Sequence, residues 1–201
     1  FFRSLERFAY GAMMSITEQR SRQRRYLKIA DMADNPRALL AEHGPLALSR
    51  EERREIGNRL RSRFGAFSQR RAIALRMNGE IEGGHRLGPN SGATVEHVLP
   101  KSLPEDSPWL KSWPSQSVQR DLVDTIGNFA LLSQSTNQKA DNLSFDEKKT
   151  LYFQDGDPEF ALTRDIQEKV AWTPEVVRSR TEQLAKIMEA AWQLHRSALR
   201  F

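Results

Sequence analysis

Three places in this 201-residue chain gather residue types that can do chemistry. Glu96 and His97 stand side by side in the apolar run ATVEHVL at 93–99, which closes on Pro100. Gly127 and Asn128 lead into a second apolar run, NFALL. Asn137, Gln138 and Lys139 follow shortly after. Imidazole titrates near neutral pH, so His97 can take or give a proton. Carboxylate and amide oxygens are the donors that a hard divalent cation prefers. Each place alone has a plainer reading: a structural Glu-His pair, or an Asn that caps a helix. In this order and spacing the three point to one site.

The elements around them can be read from periodicity. Residues 93–99 and 128–132 read as two short strands, and a helix begins at 136–140. Neighbours on a strand point to opposite faces, so a strand end or bulge must redirect Glu96 or His97 if both are to meet one substrate. Prolines at 100, 104, 108 and 114 mark residues 101–117 as a long irregular loop, with a short helix at 118–125. Upstream, Phe2, Leu5, Phe8, Ala12 and Ile16 recur at helical spacing, which predicts one helix over 2–33, ended by Asn35-Pro36. Ser49 with Glu52 three residues on is a capping-box signal for a helix at 50–62. Further helices are expected at 66–78, 145–152, 159–169 and 174–199, the last with Pro174 in its first turn. Residues 79–92 read as a polar loop. The fold expected is mainly α, with one two-stranded island near 93–140. Three segments are expected to pack as one compact unit: a helical, basic 1–90, a core at 91–155 and C-terminal helices at 156–201.

Composition narrows the partners. The chain carries 31 Lys and Arg against 26 Asp and Glu, a net of +5. Residues 1–90 hold 18 against 10 and residues 91–201 hold 13 against 16, so the basic excess sits in the first part. Its densest run is Arg20, Arg22, Arg24, Arg25 and Lys28, either a solvated helix face or a phosphate-binding surface. A pI near 9.7 raises nucleic acid as a partner without establishing it. With no cysteine, a disulfide scaffold, a thiol nucleophile and a Cys-ligated zinc are excluded; a reducing cytoplasm is the expected location. No run of about 18 apolar residues occurs, so no membrane partner is expected. The chain starts at Phe1 rather than Met, which marks it as an expected piece of a longer protein.

The string VEHVLP resembles the first strand of the HNH nuclease family, GNFALL its second strand, and STNQKADN its metal helix, with Asn in place of the commoner His. More narrowly, TVEHVLP and IGNFALLSQSTNQKADNLSFDEKK, with the tail WTPEVVRSRTEQL, are similar to the HNH domain at the C-terminus of GmrSD-type modification-dependent restriction proteins. A domain of this kind also occurs in phosphorothioation-dependent anti-phage defence. The resemblance is strong over about residues 93–192.

It implies a ββα-metal (HNH) core inserted in a helical domain, and a metal-dependent DNA endonuclease, expected to nick, serving as effector of an anti-phage restriction protein. Phosphodiester hydrolysis needs a base for the attacking water and a Lewis acid for the departing oxygen. By resemblance His97 is that base, Glu96 and the side-chain oxygen of Asn137 ligate Mg2+ or Mn2+, and Asn128 orients the loop that holds His97. Lys139 and Arg86 are expected on DNA phosphates, with Arg20, Arg22, Arg24, Arg25 and Lys28 as the outlying basic surface. Asn142 reads first as a cap. The partners implied are double-stranded DNA and an N-terminal nucleotide-hydrolysing sensor domain. The four tryptophans read as core anchors. A non-catalytic nucleic-acid-binding module on an HNH-like scaffold is the alternative; a helical protein-interaction domain would leave the island unexplained.

Overall fold

The computed structural model describes residues 1–14, 19–84, 92–156 and 158–195. The chain divides into two compact units, one of Phe1–Leu60 with the segment from Glu189 on, the other Arg61–Met188. The helix α5 (Phe67–Ile81) therefore groups with the ribbon instead of with the basic helices.

In the first unit, α1 (Phe2–Met14) and α2 (Gln19–Asp31) replace the single helix expected over 2–33. The rings of Phe8 and Tyr26 meet at 5.1 Å. In one continuous helix those residues would stand about 27 Å apart, so α1 and α2 are two helices that meet through these rings, and residues 15–18, Ile16 among them, lie outside the described residues. Helical periodicity does not mark where one helix gives way to the next. A short α3 (Pro36–Leu40) is capped by Asn35. The next helix, α4 (Arg50–Leu60), opens on the expected box: Ser49 Oγ accepts from the Glu52 backbone at 3.1 Å, and Glu52 accepts from the Ser49 backbone at 2.7 Å. Gly11 lets α4 approach closely, since a Cβ there would lie 2.7 Å from Ile56.

The second unit is built on an antiparallel ribbon. Strand β1 (Ala93–His97) pairs in regular register with β2 (Phe129–Ser133), placing Glu96 opposite Ala130 and His97 opposite Phe129. Between them run a 3-10 turn at Pro108–Lys111 and α6 (Gln116–Leu122). The ribbon feeds directly into α7 (Gln134–Ala140), capped by Ser133. Ser144 and Glu147 then form a second capping box that starts α8 (Phe145–Phe153). The helix expected over 159–169 shrinks to α9 (Ala161–Arg164). Its Thr163 hydroxyl donates to Leu131 O at 2.6 Å and accepts from Leu131 N at 3.0 Å, anchoring the segment to β2. The residues after it close in successive turns. Helix α10 (Pro174–Ala191) completes the fold.

The core under the ribbon contains Val98, Leu99, Trp109, Trp113, Phe145, Ile166, Trp172 and Val177. Trp113 donates to Trp172 O at 2.7 Å and Trp109 to Leu143 O at 2.9 Å, so these tryptophans are anchors, as expected from their type. Among the described residues no helix is long and apolar enough to cross a membrane.

Candidate active site

His97 ends β1 and faces an acid that sequence spacing does not reveal. Its Nε2 lies 3.0 Å from Oδ1 of Asp124, just past α6, and its ring stands edge-on to Phe129 at 5.3 Å. Burial pushes the Asp124 carboxyl up, but hydrogen bonds from His97 and Lys101 outweigh it and hold the group well below the usual carboxylate range. An ionised carboxylate only accepts. His97 Nε2 therefore carries the hydrogen, and Nδ1 keeps its lone pair. Burial also lowers the His97 pKa below its ordinary value, against the opposing pull of Asp124. The imidazole is thus neutral and basic near pH 7.

Asn128 holds this end of the strand in place. It is fully buried. Its Oδ1 accepts from the Leu99 backbone at 2.8 Å and from Trp172 Nε1 at 2.9 Å, while its Nδ2 donates to Leu99 O at 3.0 Å and Val123 O at 2.9 Å. One side chain thereby ties the segment after His97 to the segment carrying Asp124. Gly127 makes this possible. A Cβ there would lie 2.2 Å from Val177 O and from Thr181 Oγ1, and its N–H donates to that hydroxyl at 3.2 Å. Arg180, buried, donates to Gly127 O at 2.8 Å and Phe129 O at 2.7 Å, and pairs with Asp165.

Glu96 goes the other way. No bulge redirects it. Its Oε1 is taken by the buried Lys148 ammonium of α8 and by Tyr152 OH at 2.9 Å. Lys148 Nζ also donates to His97 O at 3.0 Å. Burial raises the Glu96 carboxyl pKa and lowers that of Lys148; each partner opposes the shift in the other. Asn137 uses its Nδ2 on Thr94 Oγ1 at 2.9 Å and Val95 O at 3.2 Å, which leaves Oδ1 as the atom available to a cation. Among the described residues no group of three His, Cys, Asp or Glu could hold a metal ion. With Glu96 held by Lys148 and Tyr152, Asn137 Oδ1 is the one of the two expected ligand atoms left open.

The remaining expected residues are spread out. Lys139 is exposed on the last turn of α7, and Arg86 lies outside the described residues. In the basic run, Arg20, Arg24 and Lys28 are exposed. Arg22 donates to Ala12 O at 2.8 Å. Arg25 donates to Pro45 O at 2.7 Å, pairs with Glu52 and covers the Phe8 ring, so it is a strut of the first unit. Sequence reasoning missed Asp124, Lys101 and Lys148. A buried acid or lysine has no periodic signature, although Lys148 does fall within the family-like string.

Residues 48–187 match the family described as GmrSD restriction endonucleases, C-terminal domain. That span holds every residue of the site just described and leaves out the run from Arg20 to Lys28. No curated protein and no solved structure was found to match the chain.

Proposed function

This chain belongs to the family of GmrSD restriction endonuclease C-terminal domains, and from that premise we propose that it is an HNH-type DNA endonuclease in which His97 takes the proton from the attacking water. The observation that carries this reading is the His97–Asp124 contact at 3.0 Å. It fixes the tautomer, orients the ring and stabilises the imidazolium that forms once the proton has moved. Asn128 acts as a positioning residue, holding the backbone on both sides of that pair. Double-stranded DNA is the substrate expected of a restriction-endonuclease-type domain. One His97 serves one phosphodiester at a time, so each visit nicks one strand. The defence role, with a nucleotide-hydrolysing sensor domain upstream, is part of the proposal and is supported by the resemblance alone.

The resemblance also implies Mg2+ or Mn2+. Asn137 Oδ1 is the donor open to such an ion. Because Glu96 is engaged by Lys148, no step of the proton transfer above depends on the metal.

Relaxation of supercoiled plasmid with Mg2+ or Mn2+, with and without chelator, tests the reading. Open-circular DNA should appear first and linear DNA later, and chelation should stop both. His97→Ala should abolish cleavage while DNA binding persists, because phosphate contacts and not the base supply affinity. Cleavage by His97→Ala at the wild-type rate would remove His97 from the mechanism; binding without any cleavage by the wild type would favour the non-catalytic alternative.

A further inference from the structure

We propose that Lys148 is a positioning residue for His97: its buried ammonium grips the His97 carbonyl and so sets how the imidazole leaves β1. The inference rests on reading His97 as the base of a DNA endonuclease. Lys148 sits in α8 with a side chain that is 0% exposed. Its Nζ donates to Glu96 Oε1 and to His97 O, the latter at 3.0 Å. Tyr152 stands one turn further along the same face of α8, and its hydroxyl donates to the same Glu96 oxygen at 2.9 Å. One helix face thus presents both donors together, and the Ser144–Glu147 capping box fixes where that helix starts.

Stability alone does not account for an ion pair at this place. Two charges taken out of water cost folding free energy, and apolar residues of similar volume commonly serve a fold as well or better. Strand alternation turns Glu96 inward and leaves the next carbonyl, that of His97, within reach of the cation that meets the carboxylate. The contact that an apolar pair could not supply is the one from the ammonium to this carbonyl. A charged donor makes a shorter and stronger bond than a neutral one. Glu96 holds the ammonium, and the ammonium holds the backbone of the base.

The peptide between His97 and Val98 is pinned at both ends. Its oxygen takes the Lys148 ammonium, and its N–H, on Val98, donates to Asn128 O at 3.0 Å. A peptide group is planar, so two anchors fix its orientation. The ring is held at its far end, where Nε2 lies 3.0 Å from Asp124 Oδ1. Backbone and ring tip together leave the imidazole little freedom. Without Lys148 the plane keeps only its Asn128 anchor, and a displacement of about 1 Å is enough to cost a reaction about 10²-fold.

The test exchanges the pair as a unit. Glu96→Gln with Lys148→Met removes both charges at nearly constant volume, so neither is left buried alone. In this double variant kcat for nicking should fall about 10- to 10²-fold with KM unchanged, and excess Mn2+ should not restore it. At fixed pH and without metal, 15N NMR reads the ring directly: the His97 Nε2–H signal should shift and exchange faster with water. The unaltered chain supplies a measurement that needs no substitution, since its Lys148 ammonium should give a slowly exchanging 15N signal. An ammonium that exchanges as fast as that of an exposed lysine would overturn the proposal. So would an unchanged His97 signal in the double variant, an unchanged kcat where the wild type nicks, or a rate that excess metal recovers. An altered His97 signal alongside a wild type that cuts no DNA would uphold the grip on the ring and overturn the endonuclease reading.

Discussion

His97 must be uncharged to act as a base, so its environment sets the pH dependence. Burial holds its pKa below the ordinary 6.5, and Asp124 only partly opposes this. The neutral form therefore persists to lower pH than for an exposed histidine. The acid limb of the pH–rate profile for nicking should fall below pH 6.5; a midpoint at or above that value would contradict the arrangement. Asp124→Asn offers the ring an amide that can donate as well as accept, which permits the wrong tautomer. It should cost about 10²-fold in rate, the lower range of a general base's contribution. Glu96 carries a different expectation. Glu96→Gln leaves the Lys148 ammonium buried without its counter-charge and should destabilise the fold by about 3 kcal/mol in chemical denaturation. Adding Lys148→Met should recover most of that. A loss of activity in Glu96→Gln that excess metal reverses, with stability unchanged, would instead return Glu96 to the ligand set. His97, Asn128 and Asn137 could be proposed from the sequence because a motif names residue types at fixed spacing. Asp124 was not, since it lies 27 residues from His97 and only the return of α6 to the ribbon joins them. The outward turn of His97 and inward turn of Glu96 follow strand alternation; what the sequence hid was that Lys148 and Tyr152 wait on the inner side.

Gly127 is the element-scale counterpart of these contacts. It lets α10 lie against the turn that presents Asn128, and no other residue fits where a Cβ would sit 2.2 Å from the Val177 carbonyl oxygen. Gly127→Ala should destabilise the second unit by about 1–3 kcal/mol, seen as a lowered thermal midpoint, and should slow nicking through a displaced Asn128. A variant with unaltered midpoint and rate would show that α10 can retreat at no cost. Both strands, α4 with its capping box and the start of α10 were legible, because caps, prolines and apolar periodicity are local signals. The split into α1 and α2 and the short α9 were not. The first hides in continuous periodicity, and the second depends on Thr163 bonding a strand some thirty residues earlier in the chain.

At the scale of the whole chain, net charge pointed to an anionic partner but did not say which cations are available to it. Arg22 and Arg25 are spent on backbone carbonyls and Glu52, while Arg20, Arg24 and Lys28 remain exposed. Reversing Arg20 and Arg24 to Glu should lower the salt slope of DNA binding by about 0.9 for each phosphate that is no longer neutralised. Arg25→Ala should instead lower the thermal midpoint, since it removes a cation–π contact, an ion pair and two carbonyl bonds together. An unchanged slope in the double reversal would make the exposed run a solvated helix face, and DNA binding would then rest on the second unit.

Arg180 bears on how this ribbon can be transplanted. Its guanidinium closes on Gly127 O, Phe129 O, Leu162 O and Asp165, four points that lie on both sides of the ββα segment's end. Trp172 completes the Asn128 cage from the same C-terminal direction. A cassette trimmed to residues 91–155 would keep His97, Asp124 and Asn137 yet leave Asn128 short of one donor and the carbonyls beneath the second strand without their guanidinium. Grafting this ribbon onto a foreign scaffold therefore means carrying the chain at least through Thr181, and the smallest portable unit is set by a buried arginine.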